Sequence, residues 1–178
     1  MLTLEEAKAV YLKYNCSMYG MAREELDIYD EFRKSNISKE MREKWRQELF
    51  VKLKDELRSK GSVGLFNRLY DLAENGNRQN KERLLALKDA LAFIKFDNLK
   101  DNAIVSETII GRKELSVRSG MIFWAYDLGE YEIAKELVLY TMNLLSYQPV
   151  EDRLRRRFEE DRATCRLIEN ELQLGCFK

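Results

Sequence analysis

Two pairs of acidic residues in this sequence have a spacing that suits a shared metal ion. Glu40 and Glu43 are three residues apart, as are Asp71 and Glu74. On a helix, residues three apart lie on the same face, so each pair can present two carboxylates to one divalent cation. The alternative interpretation is a solvated helix face, because 31 acidic residues in a chain of 178 produce several such pairs by chance.

The two acidic pairs lie on adjacent predicted helices, and in this they faintly resemble the all-helical nucleotide pyrophosphohydrolases of the MazG type. That resemblance implies a divalent-metal-dependent nucleotide phosphohydrolase in which Glu40, Glu43, Asp71 and Glu74 hold the metal. The second pair mixes aspartate with glutamate, and a solvated face is the favoured interpretation. The phosphohydrolase is therefore the alternative hypothesis, and the main hypothesis includes no metal and no cofactor.

The chain contains no histidine, and this excludes several kinds of active site. Ser-His-Asp and Cys-His nucleophiles need an imidazole that accepts the proton. The three-histidine zinc site and the facial triad of non-haem iron need histidine ligands. Carboxylates, lysines, tyrosines and hydroxyls remain for catalysis, so the composition favours a binding protein over an enzyme.

The charges of this sequence are balanced both globally and locally. There are 31 basic and 31 acidic residues, interleaved along the chain. The segment 151–162 contains four closely spaced arginines, Arg153, Arg155, Arg156 and Arg157. Glu159, Glu160 and Asp161 follow within about one helical turn, which predicts ion pairs within a helix rather than a phosphate-binding patch. Neither nucleic acid nor a membrane is expected as a partner, since those affinities depend on unbalanced basic charge.

The composition predicts an all-α fold. Glu, Lys, Arg, Leu and Ala dominate, and the single proline leaves helices largely uninterrupted. Apolar residues recur every three or four positions, and the predicted connections are short. We therefore expect one all-helical domain over residues 1–178, built from about eight antiparallel helices. The array is either a superhelix or an irregular helical bundle.

Some helix boundaries can be predicted from local signals. Thr3 and Glu6 have the spacing of a capping box that begins the first helix. Gly20 is expected to break or bend the N-terminal helical segment. The segment 97–120 contains β-branched residues that also suit a strand, but poor alternation favours helices broken near Gly111.

Two further predictions concern long helices. Ser38 is expected to cap a helix that Gly61 ends, because glycine readily adopts the left-handed conformation at a helix C-terminus. Pro149 is placed in the first turn of the last helix, which is expected to bury Val150.

The segment 115–149 resembles the second half of a tetratricopeptide repeat. Gly129, Tyr131 and Ala134 suit a tight turn between two closely packed helices. In that family the first helix of the hairpin lines a concave peptide-binding face. The resemblance implies that this face consists of five side chains, namely Ser116, Ser119, Phe123, Tyr126 and Asp127. The alternative interpretation of the two aromatic residues is packing in the core.

These observations favour the hypothesis that the protein is a non-enzymatic module that binds a protein or peptide. One form of this hypothesis is a bacterial regulatory or immunity-type protein. A structural homo-oligomer is a further alternative. Cys16, Cys165 and Cys176 show no CxxC spacing, and residues 1–18 lack the apolar core of a signal peptide. We therefore expect the cytoplasm as its location.

Overall fold

The helices of this protein follow one another with short connections. The computed structural model describes residues 1–75, 80–111 and 119–177 of the chain. These residues form ten α-helices and one short 3-10 helix, with no strand among them. The α-helices are α1 (Leu4–Lys13), α2 (Met18–Glu24), α3 (Leu26–Lys34), α4 (Lys39–Lys60), α5 (Val63–Glu74), α6 (Lys81–Ala90), α7 (Leu99–Ile110), α8 (Met121–Asp127), α9 (Tyr131–Leu144) and α10 (Asp152–Leu172). The all-α prediction is confirmed, with more and shorter helices than expected.

The N-terminal segment is divided at a different place from the one predicted. The capping box is present, since the Thr3 N–H donates to Glu6 Oε2 at 2.8 Å and the Glu6 N–H donates to Thr3 Oγ1 at 3.3 Å. The predicted break at Gly20 is wrong, because this glycine lies inside α2. The chain turns instead at Asn15 and Cys16, whose φ angles are 50° and 59°. The Ser17 side chain then caps α2.

The predicted bounds of α4 are confirmed. The Ser38 side chain accepts a hydrogen bond from the Met41 N–H at 3.1 Å, and Gly61 ends the helix with φ of 70°. One face of α4 is buried, including Trp45 and Leu53. This face packs mainly on α5, and α4 also contacts α1 and α6.

Helix α7 resolves the ambiguity over the segment 97–120. Residues Leu99–Ile110 are helical, and Gly111 follows with φ of 99°. The helix interpretation is therefore confirmed for this part, while residues 112–118 lie outside the described residues. Helix α7 packs against α5, α8, α9 and α10. Helix α7 thus connects the middle of the chain with its C-terminal helices.

The C-terminal part contains the predicted hairpin. Gly129 has φ of 76° at the turn between α8 and α9, and Ala134 is fully buried where the two helices pack. The last helix begins later than predicted, at Asp152, with Glu151 as its N-cap. Val150 therefore precedes the helix and is 96% exposed, which makes its predicted burial wrong.

Buried side chains form two clusters. The larger cluster contains residues from α1 to α10. A smaller cluster lies where α7 meets α10 and consists of Ala103, Leu145 and Phe158, with Leu99 and Leu154 packed on it. Among the described residues, no helix has both the length and the apolar character needed to cross a membrane.

Candidate functional site

A groove of about 1060 Å³ lies between α7 and α10. Nine of its fourteen lining residues are charged, and Ile104 and Leu154 provide apolar surface that solvent reaches. Small-molecule pockets are lined mainly by apolar and aromatic side chains. The composition of this groove, with apolar patches between charged walls, therefore differs from that of a small-molecule pocket.

Short side chains on α7 allow α10 to approach at the base of the groove. Ala103 and Ser106 lie one turn apart on α7, and both are buried. The Ser106 hydroxyl donates to Oδ2 of Asp161 at 3.1 Å and also lies 2.9 Å from the carbonyl oxygen of Ala103. Asp161 is only 4% exposed. A buried carboxylate needs hydrogen bonds or a counter-charge, and this contact therefore fixes the two helices against each other.

Arg157 connects the same two helices nearer the surface. Its guanidinium is paired with Glu107 on α7, and Nη2 lies 3.4 Å from the carbonyl oxygen of Ala103. Its Nε lies 3.9 Å from Oδ2 of Asp161, four residues further along α10. Because the Arg157 side chain is 41% exposed, water weakens these pairs, so they position the side chain more than they stabilise the fold.

The end of α9 supports the groove from behind. The buried Asn102 side chain donates through Nδ2 to the carbonyl oxygen of Leu144 at 2.9 Å, and Arg162 donates to that of Leu145. Side-chain donors thus satisfy carbonyl groups that a helix end leaves without a partner inside the helix. The walls of the groove are consequently held by three helices.

The residues predicted to form a peptide-binding face on α8 are not gathered into one open surface. Phe123 is buried in the core, Ser119 and Tyr126 are half-buried, and Asp127 is exposed. The Tyr126 ring packs edge-on against Tyr131, with centroids 5.3 Å apart. The remaining candidate, Ser116, lies outside the described residues. Core packing is thus the observed environment of Phe123, as its alternative interpretation states.

The four carboxylates of the metal hypothesis do not meet. All four are described, and no group of three or more His, Cys, Asp or Glu side chains in the described ranges is arranged to hold a metal ion. Glu43 instead forms ion pairs with Arg46 and Arg83, while Glu40 is exposed at the start of α4. Glu43 thus has two guanidinium partners, and the metal hypothesis stays a prediction with no ligand cluster behind it among the described residues.

Two of the three thiols are removed from solvent. Cys16 is 1% exposed and Cys165 fully buried, and burial raises the pKa of each thiol to about 12. The nearby Arg46 guanidinium opposes this rise at Cys16 without reversing it. Both thiols are therefore protonated at neutral pH and poor nucleophiles. Cys176 is partly exposed, and burial raises its pKa as well.

The arginines of α10 are visible in the sequence, but the groove that three of them line is not. The spacing of acidic and basic residues along one helix predicts ion pairs within that helix. Arg157 on α10 instead pairs with Glu107 on α7. The groove depends on the contact between α7 and α10, which are separated by about forty residues of sequence.

We found no match to this chain among known protein families, curated proteins or solved structures. The geometry of the groove is therefore the feature of this molecule that points to a function.

Proposed function

We propose that this protein is a non-enzymatic module that holds a segment of a partner protein, or a peptide, in the groove between α7 and α10. The observation that carries this proposal is the groove itself, with accessible apolar surface at Ile104 and charged walls fixed by contacts between helices. An amphipathic segment lays its apolar face into such a groove and its polar residues along the rim. We place the protein in the cytoplasm, a location that its three free cysteines support.

Preorganisation supports this proposal. Ordering flexible side chains on binding costs about 0.5–1.5 kcal/mol for each side chain. Ser106, Asp161 and Arg157 are already held by hydrogen bonds and ion pairs across the base of the groove. A partner therefore meets walls whose positions are largely set.

Selection of peptides tests the proposal. The full chain is immobilised and exposed to a displayed library of random linear peptides, and the affinity of enriched peptides is then measured by fluorescence anisotropy. Ile104→Arg places a long side chain in the groove, at a position that is 36% exposed. Leu139→Arg is the matched control, since Leu139 is 49% exposed on α9 and does not line the groove.

We expect Ile104→Arg to weaken binding by at least about tenfold, which corresponds to about 1.4 kcal/mol, and Leu139→Arg to leave it nearly unchanged. Circular dichroism establishes that both variants keep their helical content. The proposal is overturned if no peptide is enriched, or if Ile104→Arg binds as the wild type does. Light scattering provides a second measurement: a dimer that Ile104→Arg dissociates would show that a second copy of the chain occupies the groove.

A further inference from the structure

Two arginines on the α10 wall of the groove have no partner among the residues that the structure describes. Arg153 and Arg156 line the groove, and both side chains are exposed. Neither forms an ion pair or a hydrogen bond within residues 1–75, 80–111 and 119–177. Being three residues apart, they lie on one face of α10, with Cβ atoms about 5–6 Å from each other.

The acidic residues of the groove are, in contrast, already engaged. Glu107 is paired with Arg157, and Asp152 with Arg155. Glu151 lies 4.0 Å from the ammonium of Lys100. Asp161 accepts the hydrogen bond from Ser106, and Glu160 has an interaction partner too. The described residues that line the groove include five carboxylates and four cations. Among these charged groups, the guanidiniums of Arg153 and Arg156 are the ones without a described ion-pair partner.

From this asymmetry, and resting on the proposed function, we propose that the groove binds an acidic peptide segment whose carboxylates are a helical turn apart and pair with Arg153 and Arg156. A guanidinium presents a planar fork of N–H donors that matches a carboxylate, and two such forks at this spacing match Glu or Asp residues at i and i+3 or i+4. Apolar residues of the segment then contact Ile104 and Leu154 between the two walls.

A nucleic acid fits this arrangement less well. Its phosphates are evenly spaced, so a strand lying along the groove also meets Glu107, Glu151 and Glu160, which repel it. A peptide can place neutral or basic residues opposite these carboxylates. The net charge of the whole chain is zero, so no general field attracts a polyanion.

The test uses the peptides enriched on the wild-type chain, together with Arg156→Glu and a matched control. Arg166→Glu makes the same change at an exposed position of α10 that does not line the groove. We expect the enriched peptides to share acidic residues three or four apart. We expect Arg156→Glu to weaken their binding by at least about tenfold and Arg166→Glu by less than about twofold.

A charge-swapped peptide separates ion pairing from structural damage. When the acidic residue facing Arg156 is replaced by lysine, the peptide should bind Arg156→Glu more tightly than it binds the wild type. A helix that was merely destabilised would not gain affinity for this peptide. Binding of the original peptide should also weaken as salt is added, because screening acts on exposed charges.

Other outcomes overturn the inference and leave the proposed function identifiable. The inference of an acidic partner is overturned if the enriched peptides lack acidic residues. It is also overturned if Arg156→Glu binds them as tightly as the wild type does. If the Ile104→Arg variant still binds those peptides more weakly than the wild type does, the groove remains a binding site for another kind of segment. If the peptides bind the Ile104→Arg variant as tightly as the wild type, the groove is not the binding site and the proposed function fails. Displacement of the peptide by single-stranded oligothymidine at equal concentration would overturn the inference in favour of nucleic acid.

Discussion

The Ser106 hydroxyl on α7 donates a hydrogen bond to Oδ2 of Asp161 on α10, at 3.1 Å, and both side chains are buried. A hydrogen bond to a charged group contributes about 1.5–3 kcal/mol. We therefore expect Ser106→Ala to lower the free energy of unfolding by that amount, as measured by urea denaturation. Asp161 keeps its contact with Arg157 in this variant, which limits the loss.

Ser146→Ala is the matched control for Ser106→Ala. The Ser146 hydroxyl donates to the carbonyl oxygen of Asn143 at an exposed position, so its loss should change the free energy of unfolding by no more than about 0.5 kcal/mol. A double-mutant cycle of Ser106→Ala with Asp161→Asn isolates the contact, and the coupling energy should exceed about 0.5 kcal/mol. Additive effects of the two substitutions would show that this hydrogen bond does not join the helices.

Two glycines with positive φ should respond very differently to alanine. At Gly129 a Cβ would meet nothing within 4 Å, so Gly129→Ala is expected to cost only the backbone strain, about 1–2 kcal/mol. At Gly120 a Cβ would lie 2.5 Å from the backbone nitrogen of Gly111. Gly120→Ala should therefore lower the free energy of unfolding clearly more than Gly129→Ala does, since the backbone has to move at the end of α7 near the groove.

Thermal unfolding measures this difference directly. The unfolding temperature should fall further for Gly120→Ala than for Gly129→Ala, and peptide binding in the groove should weaken only in the former. Equal destabilisation of the two variants would contradict the close backbone contact between Gly111 and Gly120.

Local sequence signals predicted the helices that have strong caps and missed a boundary that depends on backbone conformation. The side chains of Thr3 and Ser38 begin helices as expected, because their caps involve residues within three positions. The predicted break at Gly20 is wrong, because Ser17 caps α2 and the chain turns before it, at Asn15 and Cys16. Asparagine is enriched in the left-handed conformation but cysteine is not, so the sequence marks this turn only through Asn15.

The groove was harder to predict than the helices, because it requires knowledge of which helices pack together. The arginines of α10 alternate in role: Arg155 and Arg157 are paired, whereas Arg153 and Arg156 are free of partners among the described residues. Spacing along a single helix treats all four alike. All three of Arg153, Arg156 and Arg157 line the groove, and only the position of α7 shows that Arg157 is the one that pairs with Glu107.

Glu43 should matter for stability through the arginines it binds. Its carboxylate pairs with Arg83 on α6, whose side chain is 7% exposed, and with Arg46 at 2.6 Å. Removing one partner of a buried ion pair costs about 3–5 kcal/mol, and the 48% exposure of Glu43 reduces this through water. We expect Glu43→Gln to lower the free energy of unfolding by about 1–3 kcal/mol.

Glu56→Gln provides the comparison on the same helix. Glu56 pairs with Lys60 at 3.5 Å, and the lysine side chain is 65% exposed. Such surface pairs contribute about 0.3–0.5 kcal/mol, so this variant should unfold almost as the wild type does. Equal stability of the two variants in urea denaturation would show that Arg83 does not depend on Glu43.

Acidification should loosen the start of α1 through Glu6. Hydrogen bonds from the Thr3 backbone N–H and hydroxyl hold the pKa of the Glu6 carboxyl below its ordinary value of 4.5. In the unfolded chain these bonds are lost, so the unfolded state takes up the proton at higher pH than the folded state. The contribution of the capping box is therefore complete above about pH 4.5 and disappears as the pH falls through the lower folded value.

Glu6→Gln should accordingly show a smaller loss of stability than the wild type between about pH 6 and pH 3, because glutamine does not titrate. Glu5→Gln is the control, since Glu5 lies in the same first turn but outside the capping box. Urea denaturation at a series of pH values gives the slope for each variant, and the Glu6 carboxyl resonance reports its titration directly. If Glu6→Gln and Glu5→Gln have the same slopes, or if the resonance titrates above 4.5, the capping box does not couple α1 to pH.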